Sequence, residues 1–344
     1  MHISDFNYDL PEELIAQHPL AERDASRMLV LNRQTNSWRD GYFKEFVDEL
    51  LPNDLVVVNN SRVIPARLIG HRKLTGGRVE IFLVRELVNR VWLCLVRPGA
   101  RLRAGERVMF GNGELEAELL DDPGQELREV RFVSDTPFEE ALSAVGSTPL
   151  PPYIKRPEGV SLADDERYQT IYSKLRGAIA APTAGLHFTD ALLSQLQLRN
   201  QLVEITLHVG YGTFEPVRVD DLSEHKVSSE RFEILPDVAK RIDETRLAGG
   251  RVVAVGTTTT RALESASTET GEVLAGNGEA NLTITPGYEF RTVDVMLTNF
   301  HLPQSSLLVL VSTFAGRELT LEAYQHAVKQ RYRFYSYGDC MLIQ

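Results

Sequence analysis

The stretch Gly177-Ala-Ile-Ala-Ala-Pro-Thr-Ala-Gly-Leu-His-Phe188 decides how the chain is read. The small apolar residues at 178–181 read as the end of a buried strand. Pro182 has no N–H to give a ladder, so pairing stops there. Thr183, Gly185 and His187 fall in the loop that follows. Thr189 is a good N-cap, Asp190 suits the positive end of a helix, and Leu192, Leu193 and Leu196 repeat at helical spacing. Strand, polar loop and helix is the arrangement with which α/β proteins hold small ligands at strand ends.

Working outward, the pattern recurs. Val203, Ile205 and Leu207 alternate with polar residues as in a strand, and His208-Val-Gly-Tyr-Gly-Thr-Phe214 follows. Gly210 and Gly212 have no Cβ, so a ligand can approach the backbone closely. An apolar run at 252–255 leads through Gly256 into Thr257, Thr258, Thr259 and Thr260, then Arg261 on a helix. Hydroxyls and N–H groups at a helix start favour a polar or anionic group. Thr298-Asn-Phe-His-Leu-Pro303 is a further polar strand end. None of these matches a Walker loop or the dinucleotide glycine fingerprint. Taken in series they predict one site built from successive strand ends.

Residues 1–67 read as the first part of an α/β domain, with a hairpin at 28–31 and 38–43, helical spacing at 11–15 and 43–51, and a buried strand at 55–58. That strand leads into Asn59-Asn-Ser-Arg-Val-Ile-Pro-Ala-Arg67, where Arg62 is a candidate for a phosphate or carboxylate, against an ordinary ion pair. Over 68–152 the texture changes to short β-rich runs at 79–84, 91–96, 107–110, 115–120 and 129–133, punctuated by glycine and proline turns. A helix at 138–145 and a proline-stiffened crossing at 149–157 lead back to α/β texture over 153–344. The expected fold class is therefore α/β, a larger α/β domain carrying an inserted small β-barrel domain. Further on, 271–279 reads as a flexible glycine loop and 282–284 and 293–297 as strands. Ser305 or Ser306 caps an apolar helix, and Thr320 caps another.

The 43% hydrophobic and 25% charged content is that of a globular protein, and no apolar run approaches the 20 or so residues a bilayer requires. The start, Met1-His-Ile-Ser-Asp-Phe6, lacks a basic and then apolar leader. Cys94 and Cys340 have no metal or redox spacing. These features fit a cytoplasmic chain with no membrane partner. The net charge of −11 argues against indiscriminate nucleic-acid binding. Yet residues 67–107 hold ten basic and three acidic side chains, a balance of +7 that leaves −18 elsewhere. A basic module on an acidic body suits a phosphate backbone held at one place, against a plain solvated strand face.

Taken together, these stretches resemble the S-adenosylmethionine:tRNA ribosyltransferase-isomerase family of queuosine biosynthesis. The matches run nearly end to end. They comprise Asp5-Phe-Asn-Tyr-Asp-Leu-Pro-Glu-Glu-Leu-Ile-Ala16, Ser61-Arg-Val-Ile-Pro-Ala-Arg67, Pro149-Leu-Pro-Pro-Tyr-Ile154, Ala180-Ala-Pro-Thr-Ala-Gly-Leu-His-Phe-Thr189, His208-Val-Gly-Tyr-Gly-Thr-Phe214, Thr298-Asn-Phe-His-Leu-Pro303 and Tyr332-Arg-Phe-Tyr-Ser-Tyr-Gly-Asp339. Two departures stand out. Ser228, in His225-Lys-Val-Ser-Ser-Glu230, occupies the place of a family histidine, and the family's Gly-Thr-Thr-Ser-Val-Arg is here Gly256-Thr-Thr-Thr-Thr-Arg261.

The resemblance implies transfer and isomerisation of the ribosyl part of S-adenosylmethionine onto a 7-aminomethyl-7-deazaguanine base in tRNA. The products are epoxyqueuosine-tRNA, adenine and methionine. S-adenosylmethionine is then a consumed substrate, no cofactor or metal is needed, and a monomer is expected. The chemistry needs a base for the C5′ proton, a proton donor for adenine and a site that excludes water. His187, His208 and His301 are the candidates for proton transfer, with Asp339 to orient a histidine or hold an amine. Arg62, Thr183, Gly185, Gly210, Gly212, Thr213, Thr257, Thr258, Arg261 and Asn299 are the candidate substrate-binding residues, and Tyr153, Tyr211 and Phe214 candidate stacking platforms. Arg97, Arg101 and Arg103 are the candidate tRNA contacts. Two rivals are a metal-dependent hydrolase, for which no His-x-His or His-Glu-x-x-His spacing is present, and a non-catalytic RNA-binding protein, which leaves the polar strand ends without a purpose.

Overall fold

The computed structural model describes every residue except Gln125, Glu158, Glu215 and Pro216, and every other side chain but those of Arg101, Leu162 and Phe214. The chain begins with β1 (Arg27–Asn32), β2 (Ser37–Tyr42), β3 (Leu55–Asn59) and β4 (Ser61–Val63). β1 and β2 form the expected hairpin, with Leu29 opposite Asp40. The helical spacing after it produces a 3-10 helix, Phe43–Glu49, that buries Phe43, Phe46 and Val47.

Beyond β4 come β5 (Arg67–Arg72), β6 (Arg78–Val88), β7 (Val91–Arg97), β8 (Arg107–Phe110), β9 (Leu115–Leu119) and β10 (Arg128–Val133). They pair antiparallel in the order β5-β6-β7-β10-β9-β8, and β5 returns onto β8 to close a six-stranded barrel among the described residues. Strict alternation makes this possible. In β9, Leu115, Ala117 and Leu119 fill the interior with Ile81, Val108 and Phe110, while Glu116 and Glu118 face out. α1 (Phe138–Val145) then leads to β11 (Gly146–Ser147), which pairs with β5.

The chain re-enters the larger body with α2 (Leu162–Arg167), β12 (Leu175–Ala178), α3 (Asp190–Leu198), β13 (Leu202–Leu207) and β14 (Glu230–Ile234). It continues with α4 (Pro236–Leu247), β15 (Val252–Val255), α5 (Thr257–Ala266), β16 (Gly276–Ala280), β17 (Val295–Asn299), α6 (Ser306–Ala315), α7 (Arg317–Lys329) and β18 (Cys340–Ile343). The main sheet runs β16-β14-β13-β3-β15-β17-β18-β1-β2. β13, β3, β15 and β17 are parallel neighbours, and antiparallel pairs flank them. Central β3 is buried on both faces, as a parallel strand under two helical layers must be. Leu55 and Val57 join the layer with α4 to α7, and Val56 and Val58 the layer with the 43–49 helix and α3. Each such side chain contributes about 1.5–3 kcal/mol of burial. Among the described residues no helix is long and apolar enough to cross a membrane.

Three expectations are corrected. Of the apolar run at 178–181, read as the end of a buried strand, only Ala178 is strand: β12 stops there and pairs with β4 in a separate two-stranded sheet. Its residues fan out instead. Ile179 enters the barrel core, Ala180 the core under the main sheet, and Ala181 a third cluster with Tyr168 and Tyr337, so the run is the joint between bodies. The glycine stretch at 271–279 holds edge strand β16, whereas 282–284 is not a strand. Gly278 is required there, because a Cβ would lie 2.4 Å from the ring of Phe232 on β14. Ser305 caps α6 by accepting from the N–H of Leu308, but Gly316 stands at the N-cap of α7, and Thr320 Oγ1 donates to its carbonyl from inside the helix.

Candidate active site

Parallel strands bring their carboxyl ends to one edge, where the loops after β13, β15 and β17 meet the segment after β12. At the end of β15, Gly256 takes φ +92°, and α5 begins at Thr257. Thr259 Oγ1 and Thr260 Oγ1 donate to the carbonyls of Val255 (2.6 Å) and Gly256 (3.1 Å). Thr258 Oγ1 is buried with no partner. At the end of β17, Asn299 Nδ2 donates to the carbonyl of Tyr335 at 2.9 Å and leaves Oδ1 unpartnered. His301 Nε2 lies 2.8 Å from Thr298 Oγ1, its N–H donates to the hydroxyl of Tyr324, and its carbonyl accepts from Tyr8. Burial pulls the imidazole pKa down to about 3, so the ring is neutral. Thr183, Thr213, Thr257, Thr258, Arg261, Asn299 and His301 all line one cavity of about 60 Å³.

That cavity does not stand alone. Thr213 and Arg261 also line a space of about 350 Å³ floored by Leu307, Val309 and Leu310. Glu230, Ser228 and Gly212 separate that space from a trough of about 530 Å³ between the main body and the barrel, walled by Trp92 and Leu95 on one side and His208 and Gly210 on the other. Arg261 is locked at this partition. It donates to Glu230 Oε2 at 2.6 Å and to the carbonyl of Ala280 at 2.6 Å, while the N–H of Gly210 donates to Glu230 Oε1 at 2.8 Å. Burial raises the Glu230 pKa, and Arg261 opposes the rise. His208 is held lower than an ordinary histidine by burial and then by Arg231, and its Nδ1 is unpartnered. Its ring packs over Gly177, whose φ is +144° and whose added Cβ would come 2.7 Å from that nitrogen.

Other candidates are placed at or beyond the margins of these spaces. His187 Nδ1 lies 2.9 Å from Ser26 Oγ. Burial holds its pKa at about 4 against the opposing effect of the Asn299 side chain beside it, and it lines a smaller cleft. Gly185 packs against Tyr172, so it shapes the loop from behind. The Asp339 carboxylate accepts the main-chain N–H groups of Arg27 (2.9 Å) and Arg333 (2.8 Å), a bracing arrangement that reaches no histidine. Arg62 donates to Ser173 Oγ, away from these cavities. Tyr211 packs edge-on against Phe82 of the barrel and lines the trough, and Tyr153 packs against Tyr335 and lines the threonine cavity. Phe214, as a side chain, lies outside the described residues.

The basic face of the barrel is also less bare than 67–107 suggests. Glu80 and Glu106 pair with Arg67 and Arg72, and acids outside that segment join them. Glu116 takes Lys73 and Arg107, while Glu118 takes Arg131. Arg97 and Arg103 are exposed and make no ion pair among the described residues, and the Arg101 side chain lies outside them. Among the described residues no group of three histidine, cysteine or acidic side chains is placed to hold a metal ion.

Sequence reasoning gave no role to Glu230, Thr298, Tyr335 or Ser336, which complete the walls. For Glu230 the one signal was its position two residues after Ser228; its partner Arg261 lies 31 residues away and is met only in the fold.

Residues 3–343 match the family model described as queuosine biosynthesis protein. A protein of Syntrophotalea carbinolica named S-adenosylmethionine:tRNA ribosyltransferase-isomerase is 50% identical over 346 residues, covering 100% of both chains. One of Desulforamulus reducens with the same name is 46% identical over 344 residues, again with 100% of each covered. The crystal structure of an S-adenosylmethionine tRNA ribosyltransferase from Thermotoga maritima is 36% identical, covers 99% of this chain and 100% of its own, and superposes with a TM-score of 0.56. With barrel, sheet and strand-end cavity all in place along the matched length, the chain belongs to the queuosine biosynthesis protein family.

Proposed function

We propose that the chain is an S-adenosylmethionine:tRNA ribosyltransferase-isomerase. It transfers and isomerises the ribosyl moiety of S-adenosylmethionine onto 7-aminomethyl-7-deazaguanine in tRNA, giving epoxyqueuosine-tRNA and releasing adenine and methionine. The observation that carries this reading is the meeting of the polar strand ends in one cavity beside a trough shared with the barrel. A reaction between a small substrate and a base on a large one needs two such spaces that communicate.

In the chemistry, a base takes the C5′ proton next to the sulfonium, which leaves an ylide. Adenine departs and is protonated, the aminomethyl nitrogen attacks C1′, and closure of the epoxide expels methionine. His301 and His187 are neutral at pH 7 through burial, the state in which an imidazole accepts a proton. Thr183, Thr257, Thr258 and Asn299 offer hydroxyl and amide groups to ribose and to the methionine end, and the buried Thr258 hydroxyl has no partner among the described residues. His208, Gly210 and Gly212 face the trough, where the base is received, and the tRNA backbone is held by the barrel arginines Arg97, Arg101 and Arg103. S-adenosylmethionine is consumed, no cofactor or metal takes part, and the enzyme acts in the cytoplasm as a monomer. The test is to incubate the protein with S-adenosylmethionine and tRNA bearing the aminomethyl base and follow the products by mass spectrometry. Adenine release matched by epoxyqueuosine in the tRNA is expected; both substrates bound with neither product formed would overturn the reading.

A further inference from the structure

His187 and Ser336 line a cleft of about 20 Å³ whose other walls include Arg23, Arg167 and Tyr337. Ser336 lines the threonine cavity as well, so the two spaces are one side chain apart. Arg333 lies close enough to act on the His187 ring. None of these three arginines makes an ion pair among the described residues. Main-chain carbonyls hold them instead. Arg23 Nη1 donates to Leu186 O at 3.0 Å, Arg167 Nη2 to Leu20 O at 2.7 Å and Nη1 to Ala21 O at 3.1 Å, and Arg333 to His18 O. Glu22 at the rim and Glu166 beside Arg23 accept nothing from them through their carboxylates, while Asp339 accepts the main-chain N–H of Arg333 and acts on its charge.

Carbonyls satisfy the geometry of a guanidinium but not its charge. Arg23 accordingly titrates below the ordinary arginine range, through burial first and the like charge of Arg167 second. Donors are also left over. Arg167 Nε, Arg333 Nη1 and the hydroxyl of Tyr337, a residue only 4% exposed, are buried and have no partner among the described residues. The idle donors of Arg167 and Tyr337, beside two cleft arginines that make no ion pair among the described residues, call for an acceptor with negative charge.

We propose that this cleft is an oxyanion site that takes a substrate phosphate or carboxylate between Arg23, Arg167 and Tyr337. That the anion belongs to a substrate rests on the function proposed above. Its source is either a phosphodiester of the RNA beside the modified nucleotide or the carboxylate of S-adenosylmethionine. The cleft admits an oxygen or two rather than a nucleotide, so it grips one charged end from outside.

The experiment compares the full-length wild-type chain with Arg23→Gln, Arg167→Gln and the double variant. Glutamine keeps an amide donor for the carbonyls and removes the charge. Thermal unfolding first shows that each variant folds. Three readouts follow: stabilisation by inorganic phosphate against chloride at equal ionic strength, affinity for S-adenosylmethionine, and affinity for tRNA over a salt series. Wild type is expected to gain stability from phosphate and the double variant to lose that gain. If the anion is a phosphodiester, tRNA affinity falls about tenfold and the slope of log K against log salt drops by about 0.7–0.9 per lost contact, with S-adenosylmethionine affinity unchanged. If it is the carboxylate, S-adenosylmethionine affinity falls by a similar factor and the salt slope stays. A folded double variant equal to wild type in all three readouts overturns the site. Wild type that binds neither substrate would sink the functional reading, and the phosphate readout would still decide the cleft.

Discussion

His187 and His301 hold their protons more weakly in the folded chain than in the unfolded one, with pKa values of about 4 and about 3 against an ordinary 6.5. The unfolded chain therefore binds more protons below pH 6.5, and folding stability must fall as pH drops. The stabilisation is complete above 6.5 and is lost progressively toward 4 and 3, at about 1.4 kcal/mol per pH unit for each ring. Denaturant unfolding between pH 7 and 4 should show this slope, and His301→Gln should flatten it; an unchanged slope would mean the ring titrates normally. Arg261 gives a second expectation at this scale. Arg261→Met leaves Glu230 buried without its cation and should destabilise the protein by about 3–5 kcal/mol in the same measurement. The threonines and histidines of the site were legible because each stands in its own strand-end motif. Glu230 was not, since a carboxylate reveals its role through a partner distant in sequence.

Elements show where periodicity succeeds and where it stops. The 27–42 hairpin, helix α1 and the strand–glycine–threonine unit of β15 and α5 were readable because local pattern and final structure agree. β16 was hidden because Gly278, a loop signal in isolation, is there to let the ring of Phe232 lie on the strand. The 178–181 run misled for a related reason: its small apolar residues serve three different cores, and alternation along a sheet is not what selected them. Within β12, Gly177 has both a positive φ and the His208 ring against it, so Gly177→Ala should displace that ring. We expect turnover to fall at least tenfold while S-adenosylmethionine affinity changes little, a split that steady-state kinetics beside direct binding would reveal; unaltered turnover would remove His208 from the reaction.

For the whole molecule, composition announced a barrel and an α/β body, and the closed barrel and the sheet bear out that class. Strand order was beyond reach, because it depends on which ends of the chain meet. So was the charge of the barrel, whose pairing acids at 116, 118 and 121 lie outside the basic segment that drew attention. Arg97 and Arg103 remain exposed and without an ion pair among the described residues, and Arg97→Glu with Arg103→Glu should weaken tRNA binding about tenfold and lower its salt dependence, leaving S-adenosylmethionine binding intact. Equal tRNA affinity in that variant would place the dock on another face. The position of β18 has a consequence of its own. It lies between β17 and β1, pairing with both, so residues synthesised among the first wait for residues 340–343 before the sheet closes. While the ribosome is still at work, β1 and β17 each present a bare hydrogen-bonding edge, the kind of surface on which nascent chains aggregate and chaperones act. A chain lacking residues 340–343 would thus leave the sheet in two pieces with the residues of the strand-end cavity all still present.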